Sequence, residues 1–360
     1  MKILLMSYAY PPSTGGIETF SSLMREAFVA RGHEVRVVTQ IPAPMPEDAE
    51  HRVQRCPRIS ALRQAIAWAD LCAAGGLSLH YQIPVVAGGK PLTITHQAWQ
   101  ERDDGSVDAR RRLRLFLCRF GVNIAVNSIL ARDLRLPALT IPNPLRGEID
   151  LGPQLAARPR DIVFLGRLVS EKGVPVLLDA VARLHDDGIP VTATIIGDGP
   201  LRAELESHAL RLKLPGNVDF AGRLAPEQFQ PILRRHKILV VPSIYKEAFG
   251  IVTLEGLAAG CVAIVSHAGG LPEAAGPCGL TFPMGDSTAL AELIAKVLAH
   301  PATTIPLRAA APSHLEGFRP GRLAERYLQV FERLHYYHTV QRIGRGRAIA
   351  RTVAELAPRD

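Results

Sequence analysis

Along most of the chain, short runs of β-branched and aliphatic residues alternate with longer stretches whose apolar positions recur at helical spacing. This is the pattern of parallel strands joined by crossover helices, since strands covered on both faces read as continuous apolar runs and each crossover shows one apolar stripe. In the first half the pattern predicts strands near Lys2 to Tyr8, Glu34 to Thr39, Pro91 to His96, Asn123 to Asn127 and Ala138 to Ile141. Helices are expected after Gly16, before Asp70 and around Ala109 to Phe120, while the periodicity between residues 45 and 90 is weak. The second half predicts strands at Asp161 to Leu165, Val191 to Ile196, Asn217 to Phe220, Ile238 to Val241, Val262 to Val265 and Gly279 to Phe282, each followed by a turn signal and a helical segment. The stretch Ile149 to Arg160, rich in Pro, Gly and Ala, breaks the rhythm and reads as a linker. The expectation is an α/β chain of two Rossmann-like doubly wound domains, 1–150 and 151–335, facing a central cleft. A basic tail, 336–360, would pack back on the first domain or hang loose.

Composition agrees with two cores: 360 residues, 47% hydrophobic and 21% charged, exceed one ordinary domain and are too apolar for disorder. The apolar start, Met1 to Ala9, runs into Tyr10-Pro11-Pro12 with no small-residue cleavage site and reads as a first strand. No apolar stretch approaches the roughly 18 residues needed to cross a bilayer, since Leu254 to Val265 is interrupted by Glu255 and Gly260. Five cysteines, odd in number and never at CxxC spacing, suggest neither a disulfide framework nor a zinc site. A cytoplasmic protein is expected. The net charge of +8 favours an anionic partner, and aromatics at 6%, not interleaved with the basic residues, disfavour nucleic acid. From Arg110 to Phe120, Arg110, Arg111, Arg112, Arg114 and Arg119 alternate with Leu113, Leu115, Phe116, Leu117 and Phe120. That segment fits a helix lying peripherally on an anionic membrane, and fits equally a core helix with its arginines in water.

In open parallel sheets ligands bind beyond the carboxyl ends of strands, so the loops there carry the candidate chemistry. Gly15-Gly16, between the first strand and a helix, could bring backbone N–H groups to a phosphate or could serve only a turn. Gly166-Arg167-Leu168-Val169-Ser170-Glu171-Lys172-Gly173 places two cations on one loop, a planar fork and a point charge suited to a diphosphate, or an ordinary solvated loop. Glu247-Ala248-Phe249-Gly250-Ile251-Val252-Thr253-Leu254-Glu255 sets two carboxylates around the start of a helix. They could accept paired hydrogen bonds from sugar hydroxyls, with the helix N–H groups between them meeting phosphate, or be one capping and one surface glutamate.

Together these residues resemble the family 4 retaining glycosyltransferases of GT-B fold. Gly166-Arg167-Leu168 with Glu171-Lys172-Gly173, Ile196-Gly197-Asp198-Gly199-Pro200, Val218 to Gly222, Pro242-Ser243 with the stretch from Glu247 to Glu255, and Ala258-Ala259-Gly260 follow that family's order and spacing. The resemblance runs to about residue 335 and is strongest from Asp161 to Gly285. It implies that Arg167 and Lys172 hold the donor pyrophosphate, that Glu247 binds donor-sugar hydroxyls, and that Glu255 binds the ribose. Phe249, Gly250 and Ile251 would offer backbone N–H groups, Gly166 and Gly197 would line the donor site, and Gly15 and Gly16 would close on the diphosphate. His96 stands where the family carries a histidine near the reacting sugar. The departing phosphate oxygen would take the acceptor's proton, so no cofactor is implied. The absence of Asp-x-Asp agrees with cations and a helix N-terminus replacing a metal.

Asn143-Pro144 departs from the family's usual Asn-Gly, and Cys72-Ala73-Ala74-Gly75-Gly76 replaces its usual continuation after Ala69-Asp70; both differences concern the acceptor side or hinge. Expected partners are a nucleotide sugar of UDP-hexose or GDP-mannose type and a hydroxyl of a glycan, glycolipid or small molecule, as in polysaccharide biosynthesis. The alternative is a catalytically silent GT-B subunit that binds a nucleotide sugar or supports a partner transferase.

Overall fold

A computed structural model of the chain describes residues 1–99, 109–214 and 216–357. The chain divides into two compact units, Met1–Pro144 with Phe318–Asp360, and Leu145–Gly317.

The first unit holds a seven-stranded parallel sheet of β1 (Lys2–Ser7), β2 (Glu34–Thr39), β3 (Val53–Arg55), β4 (Leu71–Gly75), β5 (Leu92–His96), β6 (Val122–Ala125) and β7 (Ala138–Thr140), ordered β3-β2-β1-β4-β5-β6-β7. The register pairs Ile3 with Val35 on one side and with Leu71 on the other. The order reverses between β1 and β4, which makes that the switch point of the sheet. One face is covered by the helix Gly16–Val29, the other by the helices Ile59–Trp68 and Leu79–Ala87, whose Leu62, Ile66, Tyr81 and Val85 are buried against Leu4, Met6 and Ile94.

Besides the strand β3 and the helix Leu79–Ala87, which the weak periodicity between residues 45 and 90 does not predict, two features differ from the sequence expectation. The strand β4, Leu-Cys-Ala-Ala-Gly, was not foreseen because it carries no β-branched residue; it is buried throughout, paired with both β1 and β5. Its small side chains suit a central position with helices on both faces, and tertiary context overrides weak strand propensity. The helix Pro320–His335 was expected to close the second domain, yet it belongs to the first. Tyr327 and Phe331 pack edge-on and tilted against Phe20 and Phe28, with ring centroids 5.4–6.3 Å apart. Periodicity reveals that this helix has an apolar stripe but not which sheet the stripe covers. The helix Arg345–Leu356 also returns to the first unit, where Ala348 and Val353 join the same core.

The second unit is a six-stranded parallel sheet of β8 (Arg160–Leu165), β9 (Ala193–Ile196), β10 (Val218–Gly222), β11 (His236–Val241), β12 (Val262–Ser266) and β13 (Gly279–Phe282), ordered β10-β9-β8-β11-β12-β13. Every strand foreseen in this half is present. Leu177, Leu178 and Val181 of the helix Val174–Asp186, with Leu290 and Ile294 of the helix Ser287–Ala299, fill the core against Ile162, Phe164 and Val240. Here the order reverses between β8 and β11, so the loops following these two strands flank the switch point.

Candidate functional site

The loop after β8 is built by close backbone approach. Gly166 donates its N–H to Ile196 O at 3.0 Å and Gly197 donates to Gly222 O at 2.8 Å. A side chain on Gly197 would strike Gly166 O. The N–H groups of both glycines are therefore committed within the sheet, and these glycines, foreseen as lining the donor site, let the loops after β8 and β9 stack. Leu168, buried beneath that stack, leaves Arg167 exposed beside it. The following turn ends at Gly173, whose φ of 63° favours glycine and where a Cβ would strike Pro242 O. With Ile244 N–H donating to Glu171 O at 3.0 Å, the loop after β8 is stitched to the loop after β11.

That stitching brings together two of the foreseen charges. Lys172 Nζ donates to Glu247 Oε1 at 2.9 Å and to Oε2 at 2.7 Å, and Ser243 Oγ donates to Oε2 at 3.2 Å. Both charged side chains are partly exposed, so the pair is reachable by a ligand. The backbone of Glu247 is clamped: Gly270 donates to its carbonyl at 2.8 Å, and Gly269, at φ 60°, has room for no side chain against that same carbonyl. The Gly269-Gly270 turn thus fixes the glutamate, a role the sequence did not disclose because a Gly-Gly pair specifies a turn but not its contact.

Three residues after Glu247, Gly250 adopts φ 87° and opens the helix Ile251–Ala258 as an N-cap residue without a capping side chain. Phe249 is buried and anchors the turn. The arrangement sets a cation, a carboxylate and the positive end of a helix beside one another at the switch point, a set suited to an anionic ligand bearing hydroxyl groups.

Glu255 lies further along the same helix and is 3% exposed. Arg146 donates to its Oε1 from Nε at 2.7 Å and reaches the same oxygen from Nη2 at 2.6 Å. Oε2 is buried without a hydrogen-bond partner among the described residues. Burial pushes the Glu255 carboxyl above its usual range, and Arg146 opposes that shift. A small polar cavity lined by Arg146, Glu148, Gln230, Arg234 and Glu255 adjoins the pair. Sequence reasoning missed Arg146; it stands ahead of the stretch read as a linker, and no spacing ties it to a glutamate more than a hundred residues later.

Gly15, Gly16 and His96 belong to the first unit. Gly15 is extended and precedes the helix Gly16–Val29, with the Glu18 carboxylate folded over it and accepting from Ser13 Oγ at 2.7 Å. Arg55 of β3 steadies this loop, donating to Pro11 O at 2.9 Å while its fork engages Asp48 at 2.6 and 2.7 Å. His96 ends β5 and is fully buried, its Nε2 2.9 Å from Asn123 Oδ1. Because Asn123 Nδ2 donates to Cys118 O, its Oδ1 is the acceptor and His96 Nε2 carries the proton. Nδ1 is then an acceptor with no partner among the described residues. Burial lowers the His96 pKa to about 4, so the ring is neutral.

In the helix Ala109–Leu117, Leu113 and Phe116 are 42% and 51% exposed, and the Phe116 ring meets Phe120 at 5.5 Å. Arg112 and Arg119 flank them in solvent; Arg110 and Arg111 belong to the same helix, and their side chains are not described. Among the described residues no group of three His, Cys, Asp or Glu side chains could hold a metal ion, and no helix is long and apolar enough to cross a membrane.

Residues 149–313 match the model of the glycosyl transferases group 1 family. Among curated relatives, glycogen synthase of Mycobacterium tuberculosis is 26% identical over 84% of this chain and 87% of its own length. The phosphatidyl-myo-inositol mannosyltransferase of Mycobacterium leprae is 32% identical over 49% of each chain. Among solved structures, Anabaena HepE in complex with UDP-glucose superposes with a TM-score of 0.76 at 20% identity, covering 92% of this chain and 99% of its own. The fold is GT-B, and the matches support sugar transfer.

Proposed function

We propose that the chain is a retaining glycosyltransferase that moves a sugar from a nucleotide-diphosphate sugar to an acceptor hydroxyl without a metal ion. The observation that carries the reading is the Lys172–Glu247 pair beside the start of the helix Ile251–Ala258 at the switch point of the second unit. Lys172, Arg167 and the helix N-terminus would bind the diphosphate and stabilise its charge as the bond from sugar carbon to phosphate oxygen breaks. Glu247, already aligned by Ser243 and the Gly269-Gly270 turn, would accept hydrogen bonds from sugar hydroxyls once the diphosphate draws Lys172 away. The acceptor oxygen bonds to the same face of the sugar, and its proton passes to the departing phosphate oxygen. Catalysis is then positioning and electrostatics, with no strongly shifted base required.

Glu255 Oε2, a buried acceptor without a partner among the described residues, would take a ribose hydroxyl. A UDP-hexose is the first donor to try, since a structural neighbour holds UDP-glucose, and GDP-mannose is the second. The acceptor is a glycan, lipid-linked or small-molecule hydroxyl. For a lipid-linked one, exposed Leu113 and Phe116 between Arg112 and Arg119 offer a place to meet an anionic membrane.

The test is a thermal-shift and turnover screen of the purified chain against UDP-, GDP- and ADP-sugars in EDTA, with Lys172→Ala and Glu247→Ala alongside. Stabilisation by one donor, and metal-free release of its nucleoside diphosphate slowed at least about 100-fold by either variant, is expected. Binding of no donor, or turnover untouched by both substitutions, rejects the reading.

A further inference from the structure

Resting on that reading, we infer that Arg146 is a positioning residue: by engaging one oxygen of Glu255 twice, it holds the other oxygen ready for a hydroxyl of the donor ribose. An arginine facing a carboxylate ordinarily spreads its fork over both oxygens, which satisfies both. Here Nε and Nη2 converge on Oε1, at 2.7 and 2.6 Å, and Oε2 is buried without a hydrogen-bond partner among the described residues. A buried acceptor without a donor is costly, more so when it is charged, and a ligand that supplies the missing hydrogen bond would account for its retention.

The rest of the local structure fixes Arg146 in this pose. Its guanidinium carbon lies 5.3 Å from the centroid of the Phe229 ring, a buried side chain, in a cation–π contact. Gly147 follows at φ 88°, a left-handed conformation that favours glycine, so the chain turns away directly after the arginine. Arg146 thus performs two tasks at Glu255. Its charge favours the ionised carboxylate where burial favours the protonated one, and its geometry dictates which oxygen remains available.

The available oxygen calls for a hydroxyl donor close to the diphosphate. Glu255 stands five residues beyond Gly250, about 7.5 Å along the helix axis. An anion at the helix N-terminus and a hydroxyl at Oε2 are therefore separated on the scale of a single nucleotide. A carboxylate accepts and does not donate, so it distinguishes a ribose from a sugar lacking that hydroxyl.

The test measures, for each variant, the ratio of affinities for UDP and 2′-deoxy-UDP, with GDP and 2′-deoxy-GDP and the corresponding 3′-deoxy nucleotides in parallel, by titration calorimetry. Because the ratio is internal to each variant, a general loss of stability does not mimic the effect. The wild type is expected to prefer the ribonucleotide over one deoxy form by about tenfold or more, the value of a hydrogen bond to a charged acceptor. Glu255→Gln, Arg146→Met and Arg146→Gln should each bring that ratio near unity, and Arg146→Lys should keep most of it. Should Arg146→Met fail to fold, Arg146→Gln decides. Retention of the full preference in the neutral Arg146 variants, with its loss in Glu255→Gln, overturns the role of Arg146 alone. Retention in Glu255→Gln as well, or failure of the wild type to bind either ribonucleotide, overturns the ribose site at Glu255 and the inference with it.

Discussion

At His96 burial has a direct thermodynamic signature. The ring is neutral in the fold with its pKa lowered to about 4, whereas an unfolded histidine titrates near 6.5. Below pH 6.5 the unfolded chain therefore binds the extra proton, and stability falls with pH until the folded ring titrates near pH 4. Linkage puts the loss from this group at about 2 kcal/mol between pH 7.5 and pH 5. Denaturant unfolding at the two pH values should show that loss and show it diminished in His96→Gln; equal pH dependence in both proteins would contradict the sealed environment. The same burial limits what His96 can do. With Nε2 held by Asn123, only the Nδ1 lone pair is left to meet a substrate hydroxyl.

At the scale of elements, the helix Ala109–Leu117 makes the sharpest prediction. If its exposed Leu113 and Phe116 enter an anionic interface, Phe116→Glu should abolish co-sedimentation with phosphatidylserine-containing vesicles at low salt, and Arg119→Ala should weaken it about fivefold, near 1 kcal/mol for one surface charge. Binding unaffected by both substitutions would leave this helix an ordinary surface element. Elements were legible in the sequence where side chains themselves prefer the conformation: Glu34–Thr39 and Gly279–Phe282 have the predicted bounds, and Lys2–Ser7 and His236–Val241 lie within two residues of theirs. β4 was illegible because position, not propensity, makes Leu71–Gly75 a strand. At the candidate site, the local motif around Glu247 and Gly250 could be read because one loop carries it. The Arg146–Glu255 pair and the Gly269 clamp could not, because each joins residues that only the tertiary fold makes neighbours.

For the whole molecule, the decisive fact is that the first unit is discontinuous in sequence, completed by Phe318–Asp360. Tyr327 and Phe331 lie at the centre of its core, and the Tyr327 hydroxyl is 3.3 Å from Thr95 Oγ1. Tyr327→Ala should cost about 3–5 kcal/mol, as removal of a large buried aromatic does. A chain ending at Gly317 should show, on limited proteolysis, rapid loss of residues 1–144 and survival of a fragment near 145–317. Equal resistance of both regions would mean that the returning helices are dispensable.

This discontinuity also sets an order on synthesis. The second unit is encoded as one uninterrupted segment and can complete its core as soon as it has left the ribosome. The first sheet must wait, with Phe20 and Phe28 unpartnered by the rings that cover them, while all of the second unit is translated, roughly 10–30 s at ordinary elongation rates. The domain that begins first is finished last, so slow translation across residues 145–317 lengthens the interval in which its apolar face is open to chaperones or to aggregation.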